Sequence, residues 1–160
     1  MMPSKLAAFK IERRRISAAV FVDERLDFTD SRQLPSTYVK ALESASRYVD
    51  WIRRTLRIED AVVEKSRSDP GTWKSKFTVQ IIRQLRTIGV PVFEVEKDTL
   101  LFSFAHPPLR YRTELRRVVA AIWPILVSKD KNIGCIDAAA LGLYVQVEKM
   151  FSASLTSNPT

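Results

Sequence analysis

Three acidic residues, far apart along the chain, have the side chains best suited to chemistry. Glu12 follows an alternating segment that predicts a strand, and Glu64 lies near the end of a second short strand at residues 60–65. Asp137 lies on an apolar stripe of the last helix, where a carboxylate is costly to bury without a partner. If the two strands are parallel neighbours, both glutamates project from one edge of the sheet, and the last helix can bring Asp137 to them. A divalent cation would relieve the repulsion among the three carboxylates, and a bound metal can activate water for attack on a phosphodiester.

Each acid also has a simpler interpretation. Asp137 precedes Ala138–Ala140 and is a good helix N-cap, although Ala140 leaves no capping box. Glu12 and Glu64 can bound their strands in solvent and pair there with Arg13 or Lys65. From spacing alone, both the metal site and these simpler interpretations stay open.

The elements that would position the acids follow a clear order. Three strands joined by short polar turns, at residues 5–11, 16–22 and 26–34, predict an antiparallel meander. The segments that follow are a helix from 37 to about 56, a strand at 60–65, a helix from 73 to about 88 and a strand at 90–94. Residues 96–104 are either a short helix or an extended segment, and they are followed by a helix from 111 to about 123 and by the last helix from 133. This order predicts an α/β fold with a five-stranded mixed sheet, three antiparallel strands then two parallel, flanked by helices.

Composition narrows the class of protein. The 160 residues, 46% hydrophobic and 28% charged, predict one domain over residues 1–151, followed by a disordered tail at 152–160. The longest apolar run, residues 118–127, is too short to span a membrane, and the N-terminus has no signal-peptide core. The single cysteine fits a reducing compartment. We therefore predict a cytoplasmic protein without a membrane partner. The sequence contains no glycine-rich phosphate loop, no Cys or His cluster and no nucleophile elbow.

The net charge of +8, with a pI near 9.9, favours a polyanionic partner such as nucleic acid. Arginine outnumbers lysine, and its planar fork suits bidentate phosphate contacts. The alternative is a basic protein with no nucleic-acid role. The side chains that we predict to contact nucleic acid are Arg13, Arg14, Arg15, Arg67, Trp73, Lys74, Arg110 and Arg112.

The order and spacing of these motifs resemble the RNase H-like superfamily and, within it, the RuvC-type Holliday-junction resolvases. Residues 9–12, 61–64, 91–94 and 136–141 correspond to the first, fourth and fifth strands and the last helix of that family, and residues 110–115 to its basic helix start near the scissile phosphate. The resemblance implies an endonuclease that depends on Mg²⁺ or Mn²⁺, cuts branched or structured nucleic acid, acts as a homodimer and prefers DNA to RNA. It also implies that Glu12, Glu64 and Asp137 are both the catalytic residues and the metal ligands.

Departures from the family pattern keep a second function open. The family's first acid is an aspartate followed by Pro-Gly, whereas Glu12 is followed by Arg13–Arg15. One helical turn before its last aspartate the family usually has a further acid, but that region is Ile133-Gly134 here. The family's lysine in the fourth helix is replaced by arginines, which cannot readily donate a proton. The alternative is a catalytically degenerate RNase H-like module that binds nucleic acid or has a structural role.

Overall fold

The computed structural model describes residues 4–65, 71–104, 109–128 and 133–156. Its strands are β1 (Lys5–Ile11), β2 (Arg15–Val22), β3 (Arg25–Gln33), β4 (Asp60–Glu64) and β5 (Val92–Val95). Its helices are α1 (Tyr38–Leu56), α2 (Trp73–Thr87), α3 (Lys97–Ser103), α4 (Arg112–Ile122), α5 (Ile125–Ser128) and α6 (Ile133–Thr156). The order of elements is the predicted one apart from α5, which was not predicted, and the segment whose type was left open contains α3.

The five strands form one sheet in the order β3-β2-β1-β4-β5. β1 pairs antiparallel with β2, and β2 pairs antiparallel with β3, whereas β4 is parallel to both β1 and β5. This confirms the predicted mixed sheet. The parallel pairing brings the carboxyl ends of β1 and β4 to one edge, where Phe9 lies opposite Val63. The next residues along the two strands, Lys10 and Glu64, are therefore neighbours at that edge.

The side chains of β1 alternate between two apolar cores. Ala7 and Phe9 belong to the core shared with α1 and α2, whereas Leu6 and Ala8 belong to the core under α6. Because side chains in a strand alternate with a period of two, Lys10 continues the row of Leu6 and Ala8 and faces α6.

α6 begins at Ile133, so Asp137 lies a full turn inside the helix and is not its N-cap. The segment from Cys135 to Gly142 is buried almost without interruption, because its small residues let the helix lie close to the sheet. At Gly142 the approach is so close that an added Cβ would lie 2.0 Å from Cε2 of Phe21 in β2. The helix ends at Thr156, so it includes part of the segment predicted to be a tail. None of the helices in the described ranges has the length and apolarity needed to cross a membrane.

Candidate functional site

Glu64 ends β4 between two cations. Lys10 Nζ lies 2.5 Å from one of its carboxylate oxygens, and Arg112 Nη2 donates a hydrogen bond of 2.6 Å to the other. The Lys10 and Glu64 side chains are only 6% and 10% exposed. Burial raises the pKa of Glu64, but Lys10 and Arg112 together outweigh burial and hold that pKa below its ordinary value. Glu64 is therefore a paired carboxylate at neutral pH.

Asp137 is still more deeply buried, with 1% of its side chain exposed. Arg116 of α4 donates two hydrogen bonds to it, from Nε to Oδ1 at 2.9 Å and from Nη2 to Oδ2 at 3.0 Å. Arg112 Nη1 lies 4.0 Å from the same Oδ1. The bidentate bond to Asp137 is the largest cause that raises the pKa of Arg116. The carboxylate on α6 is thus satisfied by cations of the chain itself.

Glu12 lies in the turn after β1, where its backbone N–H donates to the carbonyl oxygen of Arg15 at 2.9 Å. Its side chain is half-buried and lies at the margin of the same group of charges. Lys74 of α2 also belongs to this group, because Glu12 and Glu64 both raise its pKa. Burial is the largest influence on Lys74, and burial with the nearby cations gives it a net pKa below the ordinary value.

Glu64 and Asp137 lie close together, because Arg112 is 2.6 Å from Glu64 and 4.0 Å from Asp137. Glu12 is near enough to raise the pKa of Arg116, as Glu64 and Asp137 also do. We define the charge cluster as these three acids with Lys10, Lys74, Arg112 and Arg116. Four cations thus face three carboxylates, and the cluster has a net charge of +1.

The arrangement of the charge cluster does not fit Mg²⁺ or Mn²⁺. Hard divalent cations need several free oxygen ligands. Both oxygens of Glu64 and both of Asp137 instead accept from lysine or arginine. Among the residues that the structure describes, no three Asp, Glu, His or Cys side chains are grouped so that they could hold a metal ion.

The simpler partners that the sequence suggested for the glutamates are not the observed ones. Lys65 Nζ lies 3.8 Å from Glu96 instead of pairing with Glu64. The guanidinium of Arg13 lies over the Trp73 ring, 5.2 Å from its centroid, and pairs with no described acid.

The predicted nucleic-acid contacts divide into exposed side chains and side chains that are buried or bonded within the fold. Arg13, Arg14 and Arg110 are exposed. Arg15 donates to the Ser31 hydroxyl at 3.0 Å. The half-buried Trp73 ring contacts Tyr38 and Phe77 as well as Arg13, Lys74 is half-buried beside the charge cluster, and Arg112 is paired with Glu64. Arg67 lies outside the described residues.

Two members of the charge cluster, Lys10 and Arg116, were not predicted. A signal for Lys10 exists, because it lies two residues after Ala8 and two before Glu12, and a period of two puts all three on one side of the sheet. Nothing in the sequence pairs Arg116 with Asp137, because that contact depends on how α4 crosses α6.

No protein-family model matches the sequence, and a comparison with curated proteins gives no match. The structure is similar to that of Thermus thermophilus RuvC, with a TM-score of 0.75 and 16% identity, over 92% of this chain and 96% of that chain. It is also similar to the yeast mitochondrial Holliday junction resolvase (TM-score 0.65, 10% identity, 98% of this chain and 82% of that one). The fowlpox virus resolvase, solved with its substrate Holliday junction DNA, gives a TM-score of 0.63 at 13% identity, over 89% of this chain and 99% of that one.

The structural similarity establishes the fold, but at identities this low it does not establish the activity, which has to be argued from the site. At the level of fold, the resemblance seen in the sequence is confirmed. The chain therefore has the RNase H-like fold, in the form found in the RuvC-type Holliday junction resolvases.

Proposed function

We propose that this chain binds branched or structured DNA and does not cleave it by metal-dependent hydrolysis. It is then a catalytically degenerate member of the RNase H-like fold that acts as a DNA-binding module. The observation that carries the proposal is the buried Lys10–Glu64 ion pair, because it places an ammonium directly against one of the carboxylates that would hold a metal. Binding of DNA is supported by the net charge of +8 and by the similarity to resolvases over 89–98% of this chain.

The phosphate contacts are assigned to the arginines that the structure leaves exposed, Arg13, Arg14 and Arg110. Each phosphate contact releases counterions, so binding should weaken steeply with salt, with a slope of about 0.9 per contact on a logarithmic scale. We expect Arg14→Ala and Arg110→Ala to weaken junction binding and to lower the salt slope by about one each. Arg47→Ala is the matched control, because Arg47 is an exposed arginine of α1, paired only loosely with Glu43 at 3.8 Å.

Fluorescence anisotropy with a labelled four-way junction and a duplex of equal length tests the binding. The proposal predicts a preference for the junction, in EDTA as well as in Mg²⁺. Equal affinity for the junction, the duplex and an unrelated polyanion such as heparin would refute the proposed preference and would mean that binding is non-specific charge attraction.

A second candidate, a metal-dependent endonuclease that uses Glu12, Glu64 and Asp137, is favoured by one observation. Arg112 lies 2.6 Å from Glu64 and 4.0 Å from Asp137, so these acids are already close together. This candidate requires Arg112 and Arg116 to leave the carboxylates when DNA phosphates arrive. It predicts junction cleavage in Mg²⁺ or Mn²⁺ that is lost in Asp137→Asn.

The assembly implied by the resemblance is a homodimer, which would present two equivalent surfaces to a symmetric junction. The homodimer is therefore part of our proposal. Sedimentation equilibrium tests it directly: a mass of twice 18.3 kDa supports the dimer, and a monomer at micromolar concentration refutes it.

A further inference from the structure

Lys10 occupies the position of β1 that faces Glu64 across the parallel pair. Because Phe9 lies opposite Val63 and strand residues alternate, Lys10 and Glu64 point to the same face at the same edge. On its other side Lys10 pairs with Ser17 of β2, and the preceding residue, Phe9, is paired with β4. A carboxylate at this position would share the space in front of Glu64, but the chain has an ammonium there.

The cations of the cluster differ in how far they are exposed to solvent. Arg112 and Arg116 belong to α4, and their side chains are 17% and 26% exposed, so they can turn toward solvent or a phosphate. Lys10 is 6% exposed and extends from the middle of a paired sheet. A buried ammonium is tolerated only when a carboxylate pairs with it. Lys10 is therefore the fixed positive charge of the cluster, and its partner Glu64 is fixed with it.

We infer that Lys10 is a built-in replacement for a divalent cation: its ammonium occupies the place that a metal would take beside Glu64 and so makes the site metal-independent. The inference rests on the metal-free part of the proposed function, but it does not depend on DNA binding. A divalent ion on Glu64 would lie within a few ångströms of a like charge and would lack one carboxylate ligand, which together lower affinity by at least about a hundredfold.

The decisive variant is Lys10→Asp, which removes the ammonium and adds a carboxylate in one step. We expect this protein to be destabilised without metal and to gain Mn²⁺ binding, with a rise in Tm of about 5 °C or more at saturating Mn²⁺. Wild type should show no comparable rise. Lys149→Asp is the matched control, because Lys149 also lies 2.7 Å from a carboxylate, that of Asp60, but is 42% exposed. It makes the same charge change outside the cluster and should give no Mn²⁺-dependent rise.

A second measurement does not depend on how well Lys10→Asp folds. Mn²⁺ bound at the cluster would broaden the amide NMR signals of Val63 and Ala138, which adjoin Glu64 and Asp137. We expect no selective broadening in wild type. Lys10→Met, which keeps the length of the side chain but not its charge, should bind Mn²⁺ at least about tenfold more tightly than wild type.

The outcomes separate clearly. Selective broadening in wild type that disappears in Glu64→Gln overturns the inference, since the acids would then hold a metal beside Lys10. Unchanged Mn²⁺ affinity in both Lys10→Met and a folded Lys10→Asp overturns it as well. If Lys10→Asp folds only when Mn²⁺ is present, the inference is supported. Loss of junction binding in the anisotropy assay would refute the proposed function and leave these metal-binding results unaffected.

Discussion

The bidentate pair between Arg116 and Asp137 allows a test of how the buried aspartate is held. The perturbation is Arg116→Met, which keeps much of the apolar stem and removes the guanidinium. Asp137 is 1% exposed in the wild-type structure, and among the described residues Arg112, at 4.0 Å, would be its remaining cationic neighbour. A buried carboxylate in that position is either stabilised by another cation or lowers the stability of the fold.

Removing one partner of a buried ion pair typically costs about 3–5 kcal/mol. Two features reduce the value here: Arg116 is 26% exposed, so water already screens the pair, and Arg112 remains close enough to compensate in part. We therefore expect a loss of about 2–3 kcal/mol in the free energy of unfolding, and a decrease in Tm of roughly 5–10 °C.

Urea denaturation monitored by tryptophan fluorescence measures the loss. Arg117→Met is the matched control, because Arg117 is the next residue of α4, is exposed and forms no ion pair within the described ranges; it should change stability by less than about 0.5 kcal/mol. The double variant with Asp137→Asn should recover about 1–2 kcal/mol of the loss, because no unpaired carboxylate is left. Equal effects of Arg116→Met and Arg117→Met would refute the reasoning and would mean that Asp137 is available to another cation.

Two further predictions concern packing and pH. Gly142→Ala should destabilise the fold by about 1–2 kcal/mol despite the better helix propensity of alanine, because its Cβ would lie 2.0 Å from the buried Phe21 ring. Gly71→Ala is the control, because its Cβ would meet nothing within 4 Å, and it should be nearly neutral in the same denaturation assay. The free energy of unfolding should fall as the pH is lowered from about 5 to about 3, because the pKa of Glu64 is lower in the folded than in the unfolded chain. The stabilisation by the ionised Glu64 is present above the pKa of Glu64 in the unfolded chain and is lost as the pH falls through its pKa in the folded protein. The free energy of unfolding of Glu64→Gln should therefore depend less steeply on pH, and an equally steep dependence would contradict the role of the Glu64 ion pairs.

The fold was predictable because its signals are local. β1 and β2 are short, mostly apolar runs that are buried on both faces, and polar turns separate the first three strands. Thr72 accepts a hydrogen bond from the Ser75 amide at 3.3 Å, as a helix cap should. The order of a meander followed by helix–strand units then leaves few sheet topologies, and the observed sheet keeps the predicted meander and has β4 parallel to β1.

The location of the site was also accessible from the sequence. Parallel pairing of β1 and β4 brings their carboxyl ends, which carry Glu12 and Glu64, to one end of the sheet, and α6 brings Asp137 close to Glu64, since Arg112 lies 2.6 Å from the one and 4.0 Å from the other. The N-cap interpretation of Asp137 was wrong, because α6 begins a turn earlier at Ile133.

The electrostatic character of the site was not accessible in the same way. Whether three acids hold a metal or pair with cations depends on Lys10, which a strand period could identify, and on Arg112 and Arg116, which only the crossing of α4 over α6 brings into contact. Side-chain partners at long sequence separation follow from tertiary packing, and no local pattern encodes them.

The most direct test of the central claim is a single assay of a four-way junction incubated with the wild-type protein at low salt in Mg²⁺ or Mn²⁺, followed by native and denaturing gels. The account predicts a retarded junction whose strands stay intact, with the same retardation in EDTA. Metal-dependent strand cleavage that disappears in Asp137→Asn would contradict it and would establish the charge cluster as an active site.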